Sequence, residues 1–563
     1  MKTVRLTMAQ AMARYLAAQS IDVPGGPKPL FAGCWSARLG GGLESLVDAL
    51  ADMPMRHALR GQAMAFASAG FAKASLRRRV AICLDPSGGD AGHLVAGATA
   101  AHVNRLPVLL LVADGSVPRA SRPDMVSLES FEDGAVGPAN CLRPVSRYFD
   151  RVARPERLFE ALAHAVRVFT DASACGPVTL ALCPDALTES HDYPERFFEP
   201  VRHRIRRPQP DIRELSAAAR ILERARKPLI IAGGGVRYSE AGTVLAEFAE
   251  RHGIPLCETR AGKGVVAWDN PLNLGAITRD SATAVNPLAA EADLVLAIGT
   301  RLRDFSIGAD GMFPNPNLHL INLNIAAHDT AKHRGLGIVA DAWVGIEALD
   351  HTIANYQAPY EWREKAGLEI QSWLHAADRS LAADNALRPT IAQVVGAITR
   401  GAGEAATVVA AGQELAVELN RHGRASSVYE YHLGHADLND GTEIAAGLGV
   451  KLARPECEVV IVTSAAGYLT GSTEIVSALE LGARLTVIIL DDGAFDRETS
   501  SRIDYVAHAA SLGAVSESVT GIAQLESALA RASGDKRTTV LVIETVAGTT
   551  GTPDDGDAGQ HGE

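Results

Sequence analysis

The segment that decides the fold runs from Val459 to Phe495 and reads VVIVTSAAGYLTGSTEIVSALELGARLTVIILDDGAF. It consists of an apolar run, a turn of small residues at Ser464–Ala466, a helical stretch, a second apolar run and an acidic turn at Asp491–Asp492. Short apolar runs that alternate with helices predict buried parallel strands joined by crossover helices. Both turns are then expected at the ends of strands, where α/β sheets bind their ligands.

The same pattern recurs along the 563 residues, a length that predicts several domains. We expect an α/β protein with three doubly wound parallel-sheet domains. Buried strands are predicted at Val80–Leu84, Val108–Val112, Val178–Leu182, Pro228–Ala232, Leu294–Ile298, His319–Asn322, Val408–Ala410, Val459–Thr463, Leu485–Leu490 and Thr539–Ile543. The predicted parts are a first domain (1–190), a polar linker (191–211), a central domain (212–350), a helical connector (351–387), a third domain (388–546) and a disordered tail (547–563).

Composition argues against several classes of protein. The net charge of −12 argues against a general nucleic-acid binder. No apolar run reaches the ~18 residues that a transmembrane helix needs, and the N-terminus reads as a helix capped by Thr7 rather than as a signal peptide. The seven cysteines are dispersed without metal-binding spacing, which is typical of reduced thiols. We therefore expect a cytoplasmic protein that binds neither membranes nor nucleic acid.

Two glycine-containing turns follow predicted strands of the central domain, in Ile230–Val236 and Val295–Leu302. Glycine turns at strand ends can bind phosphates, which leaves a nucleotide site open here. The spacing is not GxGxxG, however, and glycines also serve simply to make tight turns. We interpret both segments as tight turns.

Several segments outside Val459–Phe495 carry a resemblance to a known family. They are LTMAQAMARYL (6–16), VNRLPVLLL (103–111), RPVSRYFDRVARPERL (143–158), PLIIAGGGVRYSEA (228–241), ETRAGKGVVAWDNPLNLG (258–275), EIAAGLGVKLARPECEV (443–459) and AHAASLGA (507–514). Together with the three α/β blocks they resemble thiamine-diphosphate (ThDP)-dependent enzymes of the acetolactate synthase and decarboxylase type. Within that group they resemble the trihydroxycyclohexane-dione hydrolases of inositol catabolism.

The resemblance implies a pyrimidine-binding-like, a central and a diphosphate-binding-like domain. It implies ThDP and Mg²⁺ as cofactors, and a homodimer or homotetramer as the assembly. It also implies a small carbonyl compound as substrate, because that family hydrolyses a carbon–carbon bond in a cyclic 1,2-diketone.

The segment that would hold the cofactor departs from the family. There the first turn reads GDG, and its Asp, an Asn on the second turn and a backbone carbonyl hold the metal. Here Ala465 stands for that Asp, and Asp492, 27 residues later, stands for the Asn. A methyl group offers no oxygen to a hard cation, which leaves Asp492 as the candidate metal ligand. The cofactor-binding positions implied by the resemblance are Ser464, Ala465, Ala466, Gly467, Tyr468, Asp492, Gly61 and Gln62.

The first domain departs from the family as well. The family pattern RNEQAMAHAA corresponds to LRGQAMAFAS (59–68), so that Gly61 replaces the Glu that relays protons to the cofactor. The family loop SxGPGATN corresponds to PSGGDAGH (86–93), where Asp90 replaces a Gly and His93 an Asn. We interpret His93 as a general base with Asp90 as its orienting carboxylate. The alternative is that Asp90 only caps a helix beginning near Ala91 and that His93 is a partly buried helix residue.

Five further residues are weaker candidates. Glu44, Arg60 and Arg497 are predicted to face the inherited pocket. Cys34 and Cys83 are possible nucleophiles, although packed core thiols are the expected interpretation.

Three functions are compatible with these replacements. The main hypothesis is a divergent enzyme that hydrolyses or rearranges a small polar carbonyl or cyclitol-like compound without normal ThDP catalysis, using Asp90, His93 and Asp492. One alternative is an ordinary ThDP- and Mg²⁺-dependent hydrolase or lyase with atypical ligands. The other is a non-catalytic partner subunit. Charged replacements favour an enzyme, because a decaying site fills more often with neutral or apolar residues.

Overall fold

A computed structural model describes residues 2–37, 41–115, 136–277, 283–302, 312–403, 406–434, 441–495 and 502–546 of the chain. It contains three six-stranded sheets whose strand pairs are all parallel, which confirms the predicted fold class. Their central strands are buried on both faces, because helices cover both sides of each sheet. Among the described residues, no helix has the length and apolar character needed to cross a membrane.

The N-terminal domain is built on the first sheet. Thr7 caps its first helix as predicted, in a capping box where its hydroxyl accepts from the Gln10 N–H at 3.2 Å. The strands, in spatial order, are Met55–Ala58, Phe31–Ala37, Val80–Asp85, Val108–Ala113, Pro177–Leu182 and Tyr148–Val152. The α-helices are Met8–Ala17, Glu44–Ala49, Gly61–Ala74, Ala91–Asn104, Leu158–Thr170 and Pro184–Leu187.

The segment predicted as a polar linker contains regular structure. Ser190–Pro194 pairs antiparallel with Thr3–Thr7, and Val201–His203 pairs parallel with Gln19–Val23. An aromatic anchor explains the order, because the fully buried Tyr193 packs against nearby phenylalanines. The segment is therefore part of the N-terminal domain's surface rather than free chain.

The central domain is built on the second sheet. Its two glycine turns pack on each other, since a Cβ added to Gly235 would lie 2.6 Å from the Gly299 Cα. The strands, in spatial order, are Asn273–Ala276, Leu256–Glu258, Pro228–Ala232, Leu294–Ile298, His319–Asn324 and Leu336–Val339. The α-helices are Ile212–Leu222, Gly234–Ser239, Gly242–His252, Val285–Glu291, Ala327–Thr330 and Ala342–Thr352. These glycines thus serve close turn–turn packing.

The long helix Tyr360–Leu381 connects this domain to the C-terminal domain. The third sheet has the spatial order Tyr431–Leu433, Thr407–Ala410, Val459–Ser464, Thr486–Asp491, Thr539–Glu544 and Val515–Val519. Its α-helices are Ile391–Gly401, Gln413–His422, Glu443–Ala453, Ala465–Gly471, Glu474–Glu480, Tyr505–Ser511 and Gly521–Ala532. The next two strands in the sequence, Tyr431–Leu433 and Val459–Ser464, lie on opposite sides of Thr407–Ala410. The strand order therefore reverses at Thr407–Ala410.

Two helices join the N-terminal and C-terminal domains. Gly61–Ala74 crosses Glu443–Ala453 with backbones in contact, because glycines lie at the crossing. A Cβ on Gly70 would lie 2.2 Å from the Ala446 carbonyl oxygen, and one on Gly449 would lie 1.9 Å from that of Ala67. The two domains share one apolar core around this crossing.

Candidate functional site

The carboxyl edge of the N-terminal sheet carries a buried acid that the sequence analysis missed. Asp85 ends the strand Val80–Asp85 and is fully buried. Its Oδ1 accepts from the Gly88 N–H at 3.0 Å and the Ser87 hydroxyl at 3.3 Å, whereas Oδ2 has no hydrogen-bond partner among the described residues. Burial, helped by the negative charge of Asp90, raises the pKa of Asp85 to about 6. A carboxylate at the end of a buried strand was the signal available in the sequence.

Asp90 and His93, the predicted carboxylate and base, lie within hydrogen-bonding distance of each other. The helix begins at Ala91, as expected, but the Asp90 side chain makes no capping hydrogen bond. Its Oδ1 lies 2.9 Å from His93 Nδ1 instead. The His93 side chain is 65% exposed, so the expectation of a partly buried helix residue is wrong. With Nδ1 engaged, Nε2 is the nitrogen left to exchange a proton.

Gly61 lies directly against Asp90. A Cβ added to Gly61 would lie 3.0 Å from the Asp90 Cβ and 3.4 Å from its Cγ. A glutamate at position 61 would therefore meet the Asp90 side chain. Positions 61 and 90 are therefore sterically coupled, and residue 90 is the one of the two that carries a carboxylate.

The neighbours of this pair have other roles. Glu44 accepts from the Gly41 N–H at 2.9 Å and so holds its own loop. Burial raises the pKa of Glu474, and the nearby positive charge of Arg60 opposes that rise. Gln62 is partly buried at the start of its helix, and Arg497 lies outside the described residues. Burial raises the pKa of the Cys34 and Cys83 thiols to about 12, as expected for core thiols rather than nucleophiles.

The second part of the predicted site is the turn after Val459–Ser464. The Ser464 hydroxyl caps the next helix by accepting from the Gly467 N–H at 3.0 Å. Ala465 is buried and Ala466 is exposed. Tyr468 is fully buried, and its hydroxyl lies 2.9 Å from His508 Nδ1. Tyr468 thus packs in the C-terminal core, and position 465 presents a methyl group.

The acidic turn stabilises its own backbone. Asp491 Oδ1 accepts from the Gly493 N–H and Asp492 Oδ1 from the Ala494 N–H, each at 2.9 Å. Both carboxylates are partly exposed. Among the described residues, no group of three or more His, Cys, Asp or Glu side chains is arranged to hold a metal ion.

Comparisons with known proteins agree with the fold. The family described as "Thiamine pyrophosphate enzyme, central domain" matches residues 215–349, and "Thiamine pyrophosphate enzyme, C-terminal TPP binding domain" matches residues 418–543. A 3D-(3,5/4)-trihydroxycyclohexane-1,2-dione hydrolase of Geobacillus thermodenitrificans is 32% identical over 526 residues, which cover 88% of this chain and 81% of that protein. Proteins of the same description from Clostridium perfringens (31% identical; 96% and 93% covered) and Shouchella clausii (32%; 90% and 83%) are similar.

Proposed function

The chain belongs to the thiamine pyrophosphate enzyme family, and on this basis we propose that it is a hydrolase of a small polar cyclic carbonyl compound that works without ThDP. The names of its relatives support a cyclitol-like substrate. The observation that carries the proposal is the Asp90–His93 hydrogen bond beside Gly61. It supplies an oriented base in the region from which the family's carboxylate has been lost.

His93 is the general base of the proposed reaction. Its Nδ1 hydrogen bond to Asp90 favours the tautomer whose Nε2 accepts a proton from a water molecule. The Asp90 carboxylate then stabilises the imidazolium that forms. A positioned base of this kind contributes roughly 10²–10⁴-fold to a rate.

The residues at the inherited cofactor turns support independence from ThDP. Ala465 has no oxygen for a metal, and the Ser464 hydroxyl already accepts from the Gly467 N–H. Without a metal, Asp491 and Asp492 would repel a diphosphate by ~4 kcal/mol for each pair of unit charges ~4 Å apart at an effective dielectric of ~20. These residues do not fit a metal-held diphosphate, and no step of the proposed reaction passes through one.

Loss of ThDP limits the bond that the enzyme can cleave. Cleavage between two adjacent carbonyl carbons leaves an electron pair on a carbonyl carbon, and ThDP supplies the electron sink for such carbanions. The base in this chain cannot replace that sink. It suits cleavage or rearrangement in which a second carbonyl takes up the electron pair as an enolate. We therefore expect the scissile bond to join one carbonyl carbon to the carbon that carries the second carbonyl group.

The test is an assay of the purified chain, stripped of cofactors, on cyclic polyhydroxylated diketones with 1,2- and 1,3-spaced carbonyl groups. His93→Ala and Asp90→Asn should each lower kcat, the former by roughly 10²–10⁴-fold. His164→Ala is the matched control, since His164 is another histidine with a partly exposed side chain beside a helix carboxylate, 3.7 Å from Glu160. It should leave the rate unchanged.

Three results would contradict the proposal. One is an active His93→Ala variant. Another is activity that appears only with added ThDP and Mg²⁺, which would return the chain to ordinary family chemistry with Asp492 as metal ligand. The third is inactivity on every substrate, which would favour the partner-subunit alternative. We also propose the homodimer or homotetramer of the family, which light scattering would test.

A further inference from the structure

A cavity of about 90 Å³ lies between the N-terminal and C-terminal domains, apart from the Asp90–His93 pair. It opens at the carboxyl ends of two neighbouring parallel strands, Thr407–Ala410 and Tyr431–Leu433. Ligands of α/β sheets bind at this edge. The walls are mainly apolar and come from the crossing helices, with Phe66 and Ala446 among them. Polar groups are few, which is the usual composition of a small-molecule site.

Lys73 reaches this cavity from the N-terminal domain. Its Nζ donates to the Leu433 carbonyl oxygen at 2.8 Å, and no carboxylate among the described residues forms an ion pair with it. Burial, together with the positive charges of Arg237 and Arg260, lowers the pKa of Lys73 well below its usual value. An unprotonated lysine amine is the form that attacks carbonyl carbons.

His432 lines the same cavity and can carry a proton within it. The side chain is 5% exposed, and neither ring nitrogen has a partner at hydrogen-bonding geometry among the described residues. Burial and the neighbouring positive charges of Arg237 and Arg454 lower the pKa of His432 well below its usual value. The neutral ring offers one donor and one acceptor.

The guanidinium of Arg237 lies near Lys73 and His432, and some of its hydrogen-bond donors have no partner in the described part of the chain. It is fully buried, and its Nη2 donates to the Lys263 and Tyr431 carbonyl oxygens at 2.9 and 3.1 Å. Its Nε and Nη1 have no partner among the described residues. Of the acidic neighbours, Glu258 pairs with Lys263, and Glu443, which lines the cavity, accepts from the Gly441 N–H and the Thr463 hydroxyl. Buried polar atoms without partners call for a ligand or water.

We propose that this cavity binds a small 2-oxo acid and that Lys73 holds it as an imine. Arg237, which lies beside the cavity with two guanidinium nitrogens unpartnered among the described residues, favours a carboxylate, and the apolar walls suit a short carbon chain. The volume of about 90 Å³ would hold on the order of six water molecules. Pyruvate has a similar number of non-hydrogen atoms. The proposal is independent of the Asp90–His93 site, because the two share no residue.

The imine forms without any further reactant. The lone pair of Lys73 Nζ attacks the carbonyl carbon, and the carbon–oxygen π pair moves to the oxygen. Neutral His432 gives that oxygen a proton and recovers one from the nitrogen, producing a carbinolamine. A second proton passes from nitrogen to oxygen by the same route as water leaves, and a carbon–nitrogen double bond remains. One amine and one carbonyl thus become one imine and one water, with no change in oxidation state.

The test traps the imine in the full chain. The protein is incubated with pyruvate and sodium cyanoborohydride, digested and analysed by mass spectrometry. The peptide containing Lys73 should gain the mass of one pyruvate less one oxygen atom. Lactate, which lacks the carbonyl, should add nothing. The absence of a label on Lys73 after incubation with pyruvate, or equal labelling with lactate, would overturn the proposal.

Lys451 provides the matched control. It is also a buried lysine with a lowered pKa, and its Nζ donates to the Cys457 carbonyl oxygen at 2.6 Å, but it does not line the cavity. Lys73→Arg keeps a donor for Leu433 and should abolish the label at position 73, while Lys451→Arg should leave labelling of Lys73 unchanged. Circular dichroism checks that both variants fold. Labelling of Lys451 to the same extent as Lys73 would show nonspecific modification and contradict a built site.

Discussion

At the residue scale, Gly61 and Asp90 occupy adjoining space, and neither can be understood alone. The resemblance to the family implies two separate departures, a lost Glu and a gained Asp. The structure shows that a side chain at 61 would meet the Asp90 side chain at 3.0 Å. The shift of a carboxylate from one position to its neighbour is consistent with a site rebuilt around His93.

This coupling predicts the behaviour of Gly61→Glu. The variant should lose roughly 1–3 kcal/mol of stability, because it overpacks a close contact and sets two carboxylates side by side. Asp90→Gly introduced with it should restore the space, so the double variant should be more stable than the sum of the two single effects requires. Thermal unfolding of the four chains measures this. Additive effects would show that the two positions do not interact.

Asp85 gives a second prediction at this scale, in the pH dependence of stability. Its pKa rises from about 4 in the unfolded chain to about 6 in the fold. Between these values the folded chain holds a proton that the unfolded chain has lost. Stability therefore falls as the pH rises through this window, by about 3 kcal/mol in full. The thermal midpoint of Asp85→Asn should fall less than that of the wild type between pH 4 and pH 6.

Asp329 is the control of opposite sign. Although burial alone would raise it, Lys332 and Arg105 hold the pKa of Asp329 below its ordinary value. Its contribution to stability is present above the ordinary value and is lost as the pH falls. The destabilisation caused by Asp329→Asn should therefore largely disappear in acid. A pH profile of Asp85→Asn parallel to that of the wild type would contradict the assignment of the buried acid.

At the scale of elements, the crossing of Gly61–Ala74 with Glu443–Ala453 depends on backbone contact. Gly449→Ala would place a methyl group 1.9 Å from the Ala67 carbonyl oxygen, a backbone atom that cannot move independently. We expect a loss of roughly 1–3 kcal/mol or more as the two helices separate.

Gly367 is the matched control for this crossing. It lies within the helix Tyr360–Leu381, and an added Cβ would have no atom within 4 Å. Gly367→Ala should be neutral or stabilising by up to ~1 kcal/mol, because alanine favours the helix. Denaturant unfolding separates the two cases. Equal effects of the two alanines would show that the crossing contributes nothing specific.

Regular elements could be predicted from the sequence where local pattern decides them. The central strand Pro228–Ala232 has the predicted bounds, and the Thr7 cap follows from local chemistry alone. The short strand Val201–His203 could not be predicted, because it depends on pairing with Gln19–Val23, far away in the chain. For a three-residue strand, such pairing outweighs local composition.

The orientation of His93 is a similar case. The position of the residue on a helix was predictable, but its exposure was not, because that depends on which face of the helix packs on the sheet. The hydrogen bond to Asp90 was predictable from their spacing of three residues on one helix turn.

At the scale of the whole molecule, the three parallel sheets were predictable because each is encoded by a repeated local pattern. The way in which the N-terminal and C-terminal domains pack against each other was not predictable. The cavity that contains Lys73 and His432 joins segments 360 residues apart in sequence, as the Lys73–Leu433 hydrogen bond shows. Neither residue belongs to a motif, so only packing of the two domains brings them together.

The proposed loss of ThDP also belongs to this scale, because it requires side chains of this chain to take over the work of the family's cofactor. Titration calorimetry of the purified chain with ThDP and Mg²⁺, repeated with EDTA, measures whether the cofactor still binds. We expect no binding heat at millimolar ThDP in either case, because Ala465 offers no metal ligand and Asp491 and Asp492 repel the diphosphate. Tight binding that EDTA abolishes would contradict the account and show that Asp492 rescues the metal site.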